Sequence, residues 1–235
     1  MEDRIKCGSK TLNIHIVNSG QFKLCILFLS GGVTKLGKER YYEWQENLKS
    51  LGISSVSFDY SGVNGSGDLL KRSSLESRVE EGAFVADWMK NHICAEHYIL
   101  YGVSMGGYIA LGLTAKRPGI FKKLILHAPA AYPLKAHGIP FGEQFTEEIK
   151  RGSNREDSLS FDWLREYDKP TLLIESENDE VIPEQIIERY RTIKGEDKDF
   201  KTLSLKDAPH DLWGNASESI QFRNEIYNML LSFIK

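Results

Sequence analysis

The chain has 235 residues, of which 41% are hydrophobic and 27% charged, and carries a formal net charge of −3. That is enough apolar material for one substantial core, and the balance is that of an ordinary globular protein rather than a disordered tail. The slight negative charge, with no clustered basic stripe, argues against nucleic acid as a partner.

Along the chain, Met1-Glu2-Asp3-Arg4-Ile5-Lys6 is charged and holds no apolar segment of signal-peptide length. Cys7 falls in a polar edge strand, and residues 11–17 alternate Leu12, Ile14 and Ile16 against Asn13, His15 and Val17, which suits an antiparallel edge strand. Residues 24–29 are continuously apolar, as in a strand covered on both faces, and Ser30-Gly31-Gly32-Val33 follows as a glycine turn. A helix is expected over 40–51, closing at Gly52, then a strand over 53–58. Leu75, Val79, Ala83, Ala86, Met89 and Ile93 recur every three or four residues and mark an amphipathic helix, with Trp88 as packing beside it. Residues 98–103 form an apolar, β-prone run, Ser104 stands between Gly102 and Gly106, and a helix-forming run leads out to Lys116. Further strands are expected over 121–127, 170–175 and 200–205, a helix from residue 181, and a last helix whose stripe is Phe222, Ile226, Met229, Leu230 and Phe233. This alternation predicts an α/β fold with a mostly parallel central sheet and helices on both faces, in one domain spanning 1–235. The long connection 131–169, broken by Pro133, Gly138, Pro140, Gly142 and Gly152, is expected to be a small cap across the site. Its aromatic residues either line a partly apolar pocket or anchor the cap.

Gly102-x-Ser104-x-Gly106 between a strand and a helix fits a sharp turn that lifts a serine hydroxyl clear of the sheet edge, and a Cβ at either glycine would collide across so tight a bend. A serine hydroxyl is a weak nucleophile, so the site needs a base and an acid that orients the base. In sheets of this kind they follow in the order Ser, acid, His. Asp179 lies just past one strand and His210 just past another, so three strand-end loops can converge. The expected roles are Ser104 as nucleophile, His210 as general base and then acid, and Asp179 as the group that fixes the imidazole. His15, His92, His97 and His127 are badly placed for the base, whereas His137 sits in a loop that could overhang the site. Glu177, Glu180 and Asp207 compete for the acid, and Asp211 adjoins the histidine too closely to reach the far ring nitrogen. Backbone N–H groups of Gly32 and Met105 are the expected oxyanion donors.

Together these residues resemble the α/β-hydrolase superfamily over essentially the whole chain, with Asp59-x-x-Gly62 and Gly65-Ser66-Gly67 as a further likeness. The arrangement from Leu29 to Trp88 is most similar to the branch of small carboxylesterases, feruloyl-esterase-like enzymes and peptidase-like relatives. One departure is Ser30-Gly31 where many relatives carry His-Gly. The resemblance implies a serine hydrolase that needs no cofactor and cleaves a small-molecule carboxylic ester through an acyl-enzyme on Ser104. A thioesterase, an amidase or a peptidase could use the same groups, and a catalytically silent ligand-binding protein is the reading from another class. Three separated cysteines without a Cys/His ligand cluster argue against zinc and fit reduced thiols in a cytoplasmic setting. No apolar run approaches a membrane span. Oligomeric state and substrate-binding residues are not legible.

Overall fold

The computed structural model describes residues 1–21, 23–32, 37–63, 70–151, 156–195, 197–212 and 217–235. Val33, Gly65-Ser66-Gly67 and Gly152 lie outside the described residues. Eight strands form one sheet: β1 (Glu2–Cys7), β2 (Lys10–Val17), β3 (Leu24–Leu29), β4 (Ile53–Asp59), β5 (His97–Val103), β6 (Phe121–His127), β7 (Thr171–Asn178) and β8 (Phe200–Pro209). Their spatial order is β1-β2-β4-β3-β5-β6-β7-β8. β1 and β2 pair antiparallel with their neighbours, and every other pairing is parallel. Around the sheet lie α1 (Tyr42–Ser50), α2 (Leu75–His92), α3 (Met105–Lys116), α4 (Glu143–Arg151), α5 (Leu159–Glu166), α6 (Glu184–Lys194) and α7 (Ser217–Ile234).

Successive strand residues point to opposite faces, so apolar runs feed two cores at once. In β3, Cys25, Leu27 and Leu29 join the core that contains α2, α3 and α6, while Ile26 and Phe28 join the core that contains α1 and α7. β5 divides the same way, Leu100 to the first and Ile99, Tyr101 and Val103 to the second. Helices therefore cover both faces, as the unbroken apolar strands require. Among the described residues, no helix is long and apolar enough to cross a membrane.

One expectation is corrected. Residues 11–17 are not at the edge, because β2 is flanked by β1 on one side and β4 on the other. The edge belongs to β1, where only Ile5 is buried and the rest is mostly charged, a composition that discourages pairing with a further strand. With partners on both sides, β2 also buries His15, whose Nδ1 lies 3.0 Å from Gln45 Oε1.

Chain order sets the position of the site. From β3 the chain steps to β4 on one side, then returns to β5 on the other. The strand order reverses between β3 and β5, and open parallel sheets leave a crevice beyond the strand ends at such a point. Leu29 pairs with Gly102 across it, so the loop after β3 and the turn after β5 emerge side by side.

Candidate active site

Ser104 occupies the turn between β5 and α3 with φ +53° and ψ −119°. A non-glycine residue with positive φ is strained, and such strain persists only where the surroundings hold it. Here Ser104 N–H donates to His127 O (2.9 Å), and Ser104 O accepts from the N–H groups of Gly107 (2.9 Å) and Ala130 (3.0 Å). The flanking glycines have the expected reason: a Cβ on Gly102 would overlap the Gly106 carbonyl, and one on Gly106 would overlap the Leu29 carbonyl.

Asp179 follows β7 directly and His210 follows β8 directly. His210 Nδ1 lies 2.7 Å from Asp179 Oδ2, and His210 Nε2 lies 3.1 Å from Ser104 Oγ. Because a carboxylate can only accept, Nδ1 carries the proton, which leaves Nε2 of the neutral ring to accept from the serine hydroxyl. The second Asp179 oxygen accepts from the N–H groups of Val181 (2.8 Å) and Ile182 (2.7 Å), which fixes the carboxylate. Burial by itself would raise the Asp179 pKa, but the His210 hydrogen bond and these two amides outweigh it and hold the carboxyl below its usual range. The arrangement can pass a proton from Ser104 to His210 while Asp179 stays ionised.

Of the competing acids, Glu177 accepts from Ser204 Oγ and Glu180 accepts from the backbone N–H of His210 at 3.5 Å, while the backbone carbonyl of Asp207 accepts from Asn178 Nδ2; the ring nitrogen Nδ1 of His210 is met by Asp179. His137 pairs with Tyr108 Oη at 3.1 Å instead.

The glycine loop packs directly on the serine: a Cβ on Gly31 would lie 2.9 Å from Ser104 Cβ. Gly32 has φ +39° and is partly exposed. Met105 opens α3, so its N–H has no carbonyl one turn earlier within the helix and remains available. Ser30 is buried, and its hydroxyl donates to Gly37 O at 3.3 Å, tying together the two ends of the loop. This gives a local role to the residue that departs from His-Gly.

Two groups at the site escaped the sequence reading. His127 is buried beneath it, with Nδ1 3.0 Å from Tyr101 Oη. Arg78, in the first turns of α2, is fully buried and donates from Nη1 to Gly32 O at 3.1 Å. Its one visible signal was position, an arginine adjoining Val79 in the apolar stripe. Among the described residues, no group of three His, Cys, Asp or Glu is placed to hold a metal ion.

A model of the prolyl oligopeptidase family matches residues 41–235. No curated protein sequence matches the chain. Solved structures do. Est1E from Butyrivibrio proteoclasticus with ferulic acid bound is 19% identical, with a TM-score of 0.76 over 99% of this chain and 99% of that one. The acylaminoacyl peptidase of Pyrococcus horikoshii is 19% identical, with a TM-score of 0.74 over 99% of this chain and 40% of that one. A predicted CIB-like hydrolase from Thermoplasma acidophilum is 17% identical, with a TM-score of 0.68 over 98% of this chain and 97% of that one. These likenesses give the fold, that of the α/β hydrolases.

Proposed function

This chain belongs to the prolyl oligopeptidase family and is a serine hydrolase, and from that premise we propose that it cleaves carboxylic esters through an acyl-enzyme on Ser104. Ser104 Oγ attacks the carbonyl carbon while His210 Nε2 takes its proton, and the resulting oxyanion accepts from the N–H groups of Gly32 and Met105. His210 then gives the proton to the departing alcohol oxygen. Water attacks the acyl-enzyme with His210 again as base, His210 returns that proton to Ser104 Oγ as the acyl–oxygen bond breaks, and the acid leaves. The observation that supports this reading best is the hydrogen-bonded line Asp179–His210–Ser104 at 2.7 and 3.1 Å. The described residues of 131–169 we read as a small cap beside this line, since His137 Nδ1 lies 3.1 Å from Tyr108 Oη of α3.

The family supports a second reading, in which an amide or peptide bond is cut by the same groups. The ferulic acid on Est1E makes methyl ferulate, a methyl ester with an aromatic acyl group, a sensible member of a substrate panel. Esters, thioesters and amides with one common acyl group, compared by kcat/KM, separate the readings.

Ser104→Ala tests the mechanism. Turnover of short p-nitrophenyl esters is expected to be lost, with circular dichroism and melting behaviour preserved. Turnover that persists in the folded variant would refute the assignment.

A further inference from the structure

Arg78 has 0% of its surface exposed. Its Nη1 donates to Gly32 O at 3.1 Å and lies 3.0 Å from Met105 Sδ. Its guanidinium carbon stands 4.9 Å from the centre of the Tyr60 ring and 4.6 Å from that of Phe141. Its Nε and Nη2 are buried without a hydrogen-bond partner among the described residues. Burying a charge that makes no ion pair among the described residues is costly, and the field of Glu81 and two aromatic faces offset only part of that cost. An apolar side chain of similar volume would fill such a place more cheaply. The arginine is therefore retained for something other than packing.

What it touches supplies the reason. We propose that Arg78 is the positioning residue of the oxyanion site: a single nitrogen, Nη1, holds Gly32 and Met105 together and so fixes the spacing of the two backbone segments whose N–H groups receive the oxyanion. This rests on the roles given above to Gly32 and Met105. Glycine is the residue least able to fix its own backbone, so a loop that turns at Gly32 with φ +39° needs an external clamp to aim its N–H. A hydrogen bond to the Gly32 carbonyl is such a clamp. The buried positive charge behind the two segments also favours negative charge in front of them, at no reorganisation cost during the reaction. Being fully buried, Arg78 acts through its neighbours rather than on substrate.

The test uses Arg78→Met and Arg78→Lys in the full chain, beside wild type and Ser104→Ala. The readouts are kcat, KM, the melting temperature and the inhibition constant of an alkyl trifluoromethyl ketone, whose hemiketal oxyanion imitates the intermediate. Arg78→Met is expected to lower kcat about a hundredfold with little change in KM, and to weaken the ketone by a matching factor. Arg78→Lys, which keeps the charge but loses the planar fork, is expected to recover part of both. Should Arg78→Met fail to fold, the lysine variant alone decides, with an expected loss of about tenfold in kcat. A folded variant with kcat and ketone affinity within about threefold of wild type overturns the proposal, as does a loss confined to KM. Wild-type turnover that survives Ser104→Ala sinks the parent mechanism instead. Turnover that depends on Ser104 but not on Arg78 sinks only this inference.

Discussion

Two imidazoles lie near one another at the site, and their surroundings give them different work. His210 stands between a carboxylate and a hydroxyl. His127 is buried, and burial first, then the nearby His210, push its pKa from 6.5 down to about 3. In the folded protein His127 thus stays neutral where the unfolded chain would protonate it. The unfolded state binds the extra proton between pH 6.5 and 3, so the stability His127 provides is present at neutral pH and is lost as pH falls through that window. Its largest slope is about 1.4 kcal/mol per pH unit. Asp179 has the opposite shift in charge terms: its carboxyl is held below 3.8, so its contribution is kept above that value and disappears only on further acidification. Between pH 6 and pH 4, His127 should dominate over this carboxylate. We expect the urea midpoint of wild type to fall across that range and the fall to be shallower in His127→Gln, which keeps a polar partner for Tyr101 but cannot titrate. Equal slopes in the two proteins would contradict this account. Sequence reading placed Ser104, Asp179 and His210 because local strand ends and chain order constrain them. His127 and Arg78 were out of its reach, because their importance comes from burial beside groups remote in sequence.

The turn between β5 and α3 is where one element most depends on two others. Gly106 packs where a side chain would overlap the backbone carbonyls of Leu29 and Ser30, so α3 can approach the end of β3 only through a glycine. Gly119, unlike Gly106, has positive φ, at +85°, but an added Cβ there meets nothing within 4 Å. Gly106→Ala and Gly119→Ala therefore separate collision from backbone conformation. The Gly119 variant should lose about 1 kcal/mol, the cost of a left-handed residue. The Gly106 variant should lose about 3 kcal/mol from forced displacement, with hydrolase activity falling further than stability accounts for. Chemical denaturation with parallel rate measurements reads both, and equal losses in the pair would remove the packing argument. At this scale most strands were legible as apolar runs. Their far ends were not. β7 and β8 run on to Asn178 and Pro209, past the apolar residues at which a reading by hydrophobicity stops, because the ladder is made by backbone groups that ignore side-chain polarity. The edge position of β2 was misjudged for a related reason: alternation reports which faces are covered, not whether another strand lies alongside.

The two cores share every central strand, and this decides how the molecule should come apart. β5 places Leu100 in one and Tyr101 in the other, and it also carries Ser104 at its end. Loosening either layer removes cover from the same strands, so neither core has a sheet of its own to retain. A single cooperative transition follows, even though the cores are separated by the sheet. Leu113 of α3 and Leu230 of α7 are both fully buried, one in each core. Truncating either to alanine should destabilise the whole molecule by about 2–5 kcal/mol and leave one calorimetric peak. Loss of activity should track the same midpoint in both variants, since the strand bearing the serine cannot outlast its supports. Two resolved peaks in either variant, or activity that survives the melting of α7, would mean that one layer is stable alone. The site would then hang from that layer instead of from the sheet as a unit.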